Sequence, residues 1–135
     1  MTPARSRSQA IYVDSSALVK LAVQEPESLA LARYVRGREL VASALSRTEV
    51  LRSLAPLGAE AVRRGHAVLA SVELLRISDR VLDAAGALAP QTLRTLDAIH
   101  LASALQLGGG IRVLTYDMRL AEAARDHGLD VIAPH

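Results

Sequence analysis

Two aspartates of the sequence follow short apolar runs that are typical of buried strands. Asp14 comes directly after the run at 10–13, and Asp117 lies two residues after Thr115, which ends the run at 111–115. In an open parallel sheet, ligands bind beyond the carboxyl ends of the strands, so both acids fall where a site would form. Each could also be a helix cap, because an aspartate after a strand commonly accepts hydrogen bonds from the next helix.

A third acid, Asp97, lies next to a long uncharged stretch. No formally charged residue occurs from Ala98 to Gly110, and apolar residues cover most of the helical wheel, which indicates a mostly buried helix. Burying an ionised carboxylate without a partner costs several kcal/mol, so we expect Asp97 to be paired, protonated or bound to a cation. Arg94 is one available partner, and the helix dipole also favours an acid in the first turn.

Glu49 and His100 each have a local and a functional interpretation. The run S-R-T-E at 46–49 fits a capping box, so the local pattern predicts that Glu49 is a cap. His100 follows Asp97 by three residues on one helical face, a spacing compatible with a pair of metal ligands. A histidine in the core, or one that supports a ligand, is favoured because no second histidine has a comparable context.

The composition predicts one soluble globular domain. The chain has 135 residues, of which half are hydrophobic and 22% are charged. It has no cysteine, which excludes disulfides, thiolate zinc sites and cysteine nucleophiles. The P-loop, dinucleotide-binding, serine-hydrolase and H-E-x-x-H motifs are also absent.

Residues 1–9 carry no apolar stretch of the kind a signal peptide needs, and we expect them to form a flexible N-terminal segment before a domain at 10–135. No apolar run approaches the roughly 20 residues needed to cross a bilayer. The sequence therefore predicts a cytoplasmic protein with no membrane partner.

The basic residues suit a polyanionic partner. Lys plus Arg number 16 against 14 Asp plus Glu, and Lys20 is the only lysine. Arginine binds phosphate bidentately, so an arginine-rich surface favours such a partner more than the net charge of +2 suggests. With only three aromatic residues, all tyrosines, base stacking is excluded as the main binding device.

Strand and helix patterns alternate along the chain. Strands are predicted at 10–13, 40–42, 74–77, 111–115 and 130–133. Helices are predicted from 15 onwards and at 26–37, 46–54, 58–72, 79–89, 95–107 and 117–127. This alternation predicts an α/β fold, a single domain with a central parallel β-sheet flanked by helices on both faces.

Four ordered segments between Ile11 and Val131 carry a family resemblance. They are I-Y-V-D-S-S-A-L-V-K-L, S-R-T-E-V-x-R, L-D-A-I-H-L-A-S-A-L and L-T-Y-D-x-R-L-A-E-A-A. In these segments the sequence resembles the PIN-domain ribonucleases and, within them, the VapC toxins of bacterial toxin–antitoxin pairs. The resemblance implies a PIN-like domain with an acidic pocket that binds Mg²⁺ or Mn²⁺ and cleaves RNA.

The resemblance also implies the site residues. It assigns metal binding and catalysis to four acids: Asp14, Glu49, Asp97 and Asp117. The hydroxyls of Ser16 and Thr115 match positions that line the pocket. Arg119 is a candidate contact to phosphate, although a surface arginine is an equally good interpretation.

The electrostatics of such a pocket require a cation. One pair of carboxylates about 4 Å apart repels by about 4 kcal/mol at an effective dielectric of about 20. Oxygen ligands without cysteine or several histidines select a hard ion such as Mg²⁺ or Mn²⁺. Without these four acids the chain keeps 16 basic against 10 acidic residues, or +6, which suits a phosphodiester substrate.

The resemblance further implies two protein partners. One is a VapB-type antitoxin that wraps the molecule and sends an arginine into the acidic pocket. The other is a second copy in a homodimer, with the apolar faces of the helices at 26–37 and 46–57 as candidate contact surfaces.

Three other functions stay open from the residues. A Mg²⁺-binding module of the phospho-receiver type would need a lysine after a late strand, whereas Lys20 lies in the first helix. The other two are a metal-dependent phosphatase of small molecules and a catalytically idle interaction domain.

Overall fold

The computed structural model describes residues 10–135, and the segment predicted at 1–9 lies outside the described residues. The strands are β1 (Ile11–Val13), β2 (Leu40–Ser43), β3 (Glu73–Leu75), β4 (Arg112–Leu114) and β5 (Asp130–Ile132). The helices are α1 (Ser15–Ala22), α2 (Ser28–Val35), α3 (Ser46–Leu54), α4 (Ala59–Ala70), α5 (Asp79–Gly86), α6 (Thr95–Leu105) and α7 (Met118–Asp126), with a 3₁₀ turn at Ala55–Leu57. None of the helices described at 10–135 is both long and apolar enough to cross a bilayer.

All five strands are parallel, in the order β3-β2-β1-β4-β5. The chain builds the sheet outwards from β1 through β2 to β3, then returns to place β4 on the other side of β1. The strand order therefore changes direction between β1 and β4, the place where parallel sheets of this kind bind ligands. The predicted α/β fold with a central parallel sheet is confirmed.

The sheet is buried on both faces. Ile11 and Val13 of β1 pack with α1, α3 and α4 in one apolar core. Tyr12, between them, points to the other face and packs with residues of α6 and α7. Helices on both faces explain why β1 is an unbroken apolar run rather than an alternating one.

The predicted helices are confirmed, and their ends lie within three residues of the prediction. The helix predicted at 95–107 ends at Leu105, because the amide of Leu107 bonds to Ala104 O and that of Gly108 to Leu105 O. These bonds span three residues rather than four, so the last turn is tighter than an α-helix. Apolar periodicity does not distinguish the two kinds of turn.

Helix α4 supports α3, the helix that carries Glu49, through a close approach at Gly65. A Cβ atom at Gly65 would lie 2.5 Å from Cδ1 of Leu54, which is fully buried at the end of α3. The absence of a side chain at this position therefore sets how closely the two helices pack.

Replacing Gly65 by alanine is expected to lower the free energy of unfolding by about 1 kcal/mol, because overpacking of Leu54 outweighs the better helix propensity of alanine. Chemical denaturation would measure it. Gly86→Ala is the matched control, because a Cβ there meets nothing within 4 Å. Equal stability of the two variants would contradict the close packing of α3 and α4.

Candidate active site

Four elements bring the four predicted acids towards the carboxyl ends of the strands. Asp14 follows β1 and is the N-cap of α1, while Asp117 is the N-cap of α7 after β4. Asp97 lies in the first turn of α6, and Glu49 lies in the first turn of α3. Each acid therefore sits near a helix N-terminus, where the dipole favours negative charge.

Asp14 uses its two carboxylate oxygens differently. Its Oδ1 accepts hydrogen bonds from Ser16 Oγ at 2.7 Å and from the amide of Ala17 at 3.2 Å, which caps α1. Its Oδ2 accepts a hydrogen bond from Thr115 Oγ1 at 2.6 Å, across the junction between β1 and β4. The side chain is buried, and this burial raises the pKa of Asp14 even though Thr115 and Ser16 oppose the shift.

Asp117 divides its oxygens in the same way. Its Oδ1 accepts from the amides of Arg119 and Leu120, which caps α7. Its Oδ2 lies 3.7 Å from Nη2 of Arg94. The amide of Asp117 donates to Thr115 Oγ1 at 3.0 Å, so the threonine hydroxyl joins Asp117 to Asp14. In both aspartates, one carboxylate oxygen caps a helix and the other contacts a residue distant in the sequence.

Asp97 is paired, as its burial requires. Its Oδ2 accepts a hydrogen bond from Nε of Arg94 at 3.2 Å, and only 11% of the side chain is exposed. The same guanidinium reaches Asp117, so Arg94 connects α6 to α7. The pairing of Arg94 with Asp97 is predicted by their spacing in the sequence, whereas the contact of Arg94 with Asp117 depends on the fold.

Glu49 is not a helix cap, and the predicted capping box is wrong. The N-cap of α3 is Leu45, which makes no side-chain cap, so Ser46 is already inside the helix. Glu49 Oε1 instead accepts hydrogen bonds from Ser15 Oγ and from His100 Nε2, both at 2.6 Å. These tertiary partners outweigh the effect of burial and hold the pKa of Glu49 below its usual range.

His100 is committed to two other residues rather than paired with Asp97 as a metal ligand. Its Nε2 contacts Glu49, and its Nδ1 lies 2.7 Å from the hydroxyl of Tyr12. With the tyrosine hydroxyl donating to Nδ1, the proton on Nε2 is directed at Glu49. The sequence favoured such a role for His100, as a histidine that supports another residue of the site. It did not predict that Tyr12 contacts His100 or that Ser15 donates to Glu49.

The other side chains predicted for the site, Ser16 and Arg119, lie near the acids. Ser16 Oγ donates to Asp14 and accepts from the amide of Tyr116, which ties α1 to the end of β4. Arg119 is exposed and lines a cavity of about 360 Å³ together with Arg94 and Asp97. This cavity lies beside the acids on the side of α6 and α7.

The donor set fits a hard cation. Within residues 10–135, no three histidine, aspartate or glutamate side chains are close enough together to form a metal site. However, Asp97 and Asp117 from different helices already share one positive group, the guanidinium of Arg94. Asp14, whose carboxylate shares the Thr115 hydroxyl with the backbone amide of Asp117, would supply a third oxygen, and an all-oxygen set of this kind would suit Mg²⁺ or Mn²⁺.

Comparison with known proteins identifies the class of this fold. A family model of the PIN domain matches residues 11–126, and the chain belongs to the PIN-domain family.

Within the family, the relatives that the chain matches are of the VapC type. It is 57% identical to ribonuclease VapC46 of Mycobacterium tuberculosis (strain ATCC 25618 / H37Rv), over 93% of this chain and 98% of that protein. It is 35% identical to ribonuclease VapC47 of M. tuberculosis (strain CDC 1551 / Oshkosh), over 92% and 96%. The resemblance in the four sequence segments is confirmed.

Solved structures agree on the fold. A toxin–antitoxin complex from Klebsiella pneumoniae aligns with a TM-score of 0.71 at 19% identity, over 93% of this chain and 98% of that one. VapC20 of M. tuberculosis, a toxin that cleaves the sarcin-ricin loop, aligns with a TM-score of 0.70 at 17% identity, over 84% and 95%.

Replacing Asp14 by asparagine is expected to stabilise the metal-free protein at neutral pH. Asparagine keeps the cap acceptor but removes a buried negative charge. An acid whose pKa is raised by folding favours the folded state at low pH, and this advantage is lost as the pH rises from about 3.9 through the folded pKa. The gain from Asp14→Asn should therefore grow from acid to neutral pH.

Urea unfolding in EDTA at several pH values would measure this gain. Asp83→Asn, at an exposed position of α5, is the matched control. A lower stability of Asp14→Asn than of the wild type at neutral pH would contradict a net cost of burying this charge.

Replacing Tyr12 by phenylalanine is expected to cost about 1–3 kcal/mol of stability, because it leaves Nδ1 of the buried His100 without its partner. Thermal or urea unfolding would measure the cost. Tyr34→Phe is the control, since its hydroxyl meets Arg112 at a half-buried position. If Tyr12→Phe costs no more than the control, the buried network does not hold His100.

Proposed function

We propose that this protein is a Mg²⁺-dependent endoribonuclease, the toxin of a toxin–antitoxin pair, which hydrolyses RNA phosphodiester bonds and thereby inhibits translation and growth. The observation that carries the proposal is the linkage of three acids from separate elements at the point where the strand order reverses. Thr115 joins the carboxylate of Asp14 to the backbone amide of Asp117, and Arg94 joins the carboxylates of Asp117 and Asp97. The names of the VapC relatives, which are ribonucleases, support the reaction class.

In this proposal Asp14 and Asp97 hold the principal ion, and Asp117 and Glu49 complete the site directly or through water. Bound Mg²⁺, which Mn²⁺ can replace, would lower the pKa of a water ligand and offset negative charge on the phosphate. Hydrogen bonds from Ser15 and His100 hold the carboxylate of Glu49 in place, so Glu49, or alternatively Asp117, would orient the attacking water. Ser16 and Thr115 fix the orientation of Asp14.

Arg119 is proposed to contact a phosphate of the RNA. It follows the Asp117 cap in the first turn of α7, is exposed, and lines the cavity beside the acids. A guanidinium there would meet a substrate phosphate close to the reacting centre.

The proposed partners are a VapB-type antitoxin and a second copy of the chain. One structural relative is itself a toxin–antitoxin complex, and another is VapBC2 of Rickettsia felis bound to promoter DNA. Leu29 of α2 and Leu57 after α3 are 57% and 61% exposed, which supports these helices as an apolar contact surface for a homodimer. Action on cellular RNA would take place in the cytoplasm.

The phospho-receiver alternative is not favoured by the position of the lysine. Lys20 forms ion pairs with Glu25 at 2.6 Å and with Glu27 at 2.9 Å. Its ammonium group is therefore engaged at the far end of α1 from Asp14, where a receiver module would need it near the acid.

The purified protein is expected to cleave a structured RNA with Mg²⁺ and not with EDTA. Asp97→Asn should lose about 100-fold or more of the rate, because a metal ligand contributes several kcal/mol to the transition state. Asp83→Asn, on the exposed side of α5, is the matched control and should keep the wild-type rate. Gel analysis of the RNA products measures the rate.

Phosphate release from nucleotides is assayed beside the RNA reaction. Phosphate release without RNA cleavage would indicate a phosphatase. The absence of both reactions would indicate an interaction domain. Cleavage that survives EDTA, or that Asp97→Asn leaves unchanged, would contradict the proposed function.

A further inference from the structure

The guanidinium of Arg94 lies between two carboxylates of the candidate site. Its Nε is 3.2 Å from Asp97 Oδ2, and its Nη2 is 3.7 Å from Asp117 Oδ2. The two acids come from different helices, so one positive charge serves both. A cation of this chain thus occupies the space between two proposed metal ligands.

The helix that Arg94 begins does not explain this residue. Arg94 is the N-cap of α6, its side chain makes no cap hydrogen bond, and only its backbone carbonyl accepts from the amide of Ala98. Serine, threonine, aspartate and asparagine are preferred at this position. A positive charge is also unfavourable at a helix N-terminus, because the dipole is positive there. The reason for an arginine here therefore lies in the two carboxylates.

The side chain of Arg94 also has space to move. It is 59% exposed, whereas Asp97 is 11% exposed. It lines the 360 Å³ cavity with Arg119, on the side where the site meets solvent. The acids Asp97, Glu122 and Asp126 also line this cavity, so a phosphodiester there would need both guanidinium groups and a metal ion to offset its charge.

We propose that Arg94 is an internal counter-ion that a divalent metal displaces, and that the displaced guanidinium then binds a phosphate of the RNA in the adjoining cavity. The inference rests on the proposed function. An ion pair with so exposed an arginine is weak, so a divalent ion held by carboxylates replaces it readily. The same residue then stabilises the acids before the metal binds and contacts the substrate afterwards.

The first test measures metal binding without any reaction. Mn²⁺ is titrated calorimetrically into the wild type, Arg94→Gln, Arg94→Lys and Arg125→Gln. Arg94→Gln is expected to bind Mn²⁺ about threefold more tightly, because no side chain competes for the carboxylates. Arg94→Lys keeps the competing charge and should resemble the wild type in its affinity for Mn²⁺.

Arg125→Gln controls for the loss of one positive charge. Arg125 lies in the last turn of α7, at the opposite end of that helix from Asp117.

A direct readout accompanies the titration. The Nε–H signal of Arg94, identified by its absence in Arg94→Gln, should shift in NMR spectra when Mg²⁺ is added and shift again with RNA. Unchanged or weaker Mn²⁺ binding by Arg94→Gln relative to Arg125→Gln, or a signal that Mg²⁺ does not move, would overturn the proposal.

The second test measures the substrate contact. Arg94→Gln is expected to raise the KM for RNA about tenfold and to reduce the slope of log affinity against log salt by about 1. Arg94→Lys, which lacks the bidentate fork, should raise KM while binding Mn²⁺ normally, and it serves as the test variant if Arg94→Gln does not fold. Tighter metal binding with an unchanged KM would overturn the proposal.

The two proposals fail in different ways. If the wild type does not cleave RNA with Mg²⁺, the proposed function is wrong, and the NMR and Mn²⁺ comparisons still decide whether a metal displaces Arg94. If the wild type cleaves RNA and Arg94→Gln matches Arg125→Gln in both tests, only the inference about Arg94 is wrong.

Discussion

The constraint on which this structure depends is the concentration of negative charge at the carboxyl ends of β1 and β4. Asp14 is almost fully buried, and burial raises its pKa, so the protein pays a free-energy cost to keep a carboxylate there. The Thr115 hydroxyl joins the carboxylate of Asp14 to the backbone amide of Asp117, and Arg94 joins the carboxylates of Asp117 and Asp97. The carboxylate oxygens of these acids accept hydrogen bonds from neighbouring groups, and Arg94 supplies a positive charge. A site of this kind is stable only with compensating positive charge, which is why it is suited to bind a cation.

Capping a helix leaves each aspartate with a further acceptor, because a carboxylate has two oxygens. In both Asp14 and Asp117, Oδ1 accepts from the first turn of the following helix. In both, Oδ2 faces a residue far away in the sequence, Thr115 for Asp14 and Arg94 for Asp117. The cap fixes the side chain so that the second oxygen is aimed at the site. A capping aspartate after a strand can therefore also direct its second oxygen at a contact shared between elements of a parallel fold.

Much of the fold and part of the site followed from the sequence, for physical reasons. Strands buried on both faces are continuous apolar runs, and the uncharged stretch after Asp97 marked α6 as buried, as the structure shows. The local pattern failed at Glu49, because its partners Ser15 and His100 lie 34 and 51 residues away and override the capping box. Tyr12 was missed for the same reason, since its hydroxyl meets His100 across 88 residues. Local patterns predict which residues begin an element, whereas tertiary pairing decides which oxygen faces which donor.

The candidate site has a buried, hydrogen-bonded side and a more exposed side, and the proposed function places the RNA on the exposed side. On the buried side, the hydroxyl of Tyr12 fixes His100, and His100 fixes Glu49. On the other side, Arg94 is mostly exposed, holds its carboxylates by weak ion pairs, and borders the cavity that Arg119 also lines. The Tyr12–His100 network is buried, so a polyanion passing through it would have to break buried hydrogen bonds. Under the proposed function, RNA would instead approach along α6 and α7, where the exposed Arg94 and Arg119 can move and attract its phosphates. Glu49 and His100, which are held in fixed orientations, are therefore separated from Arg94 and Arg119, which are free to move.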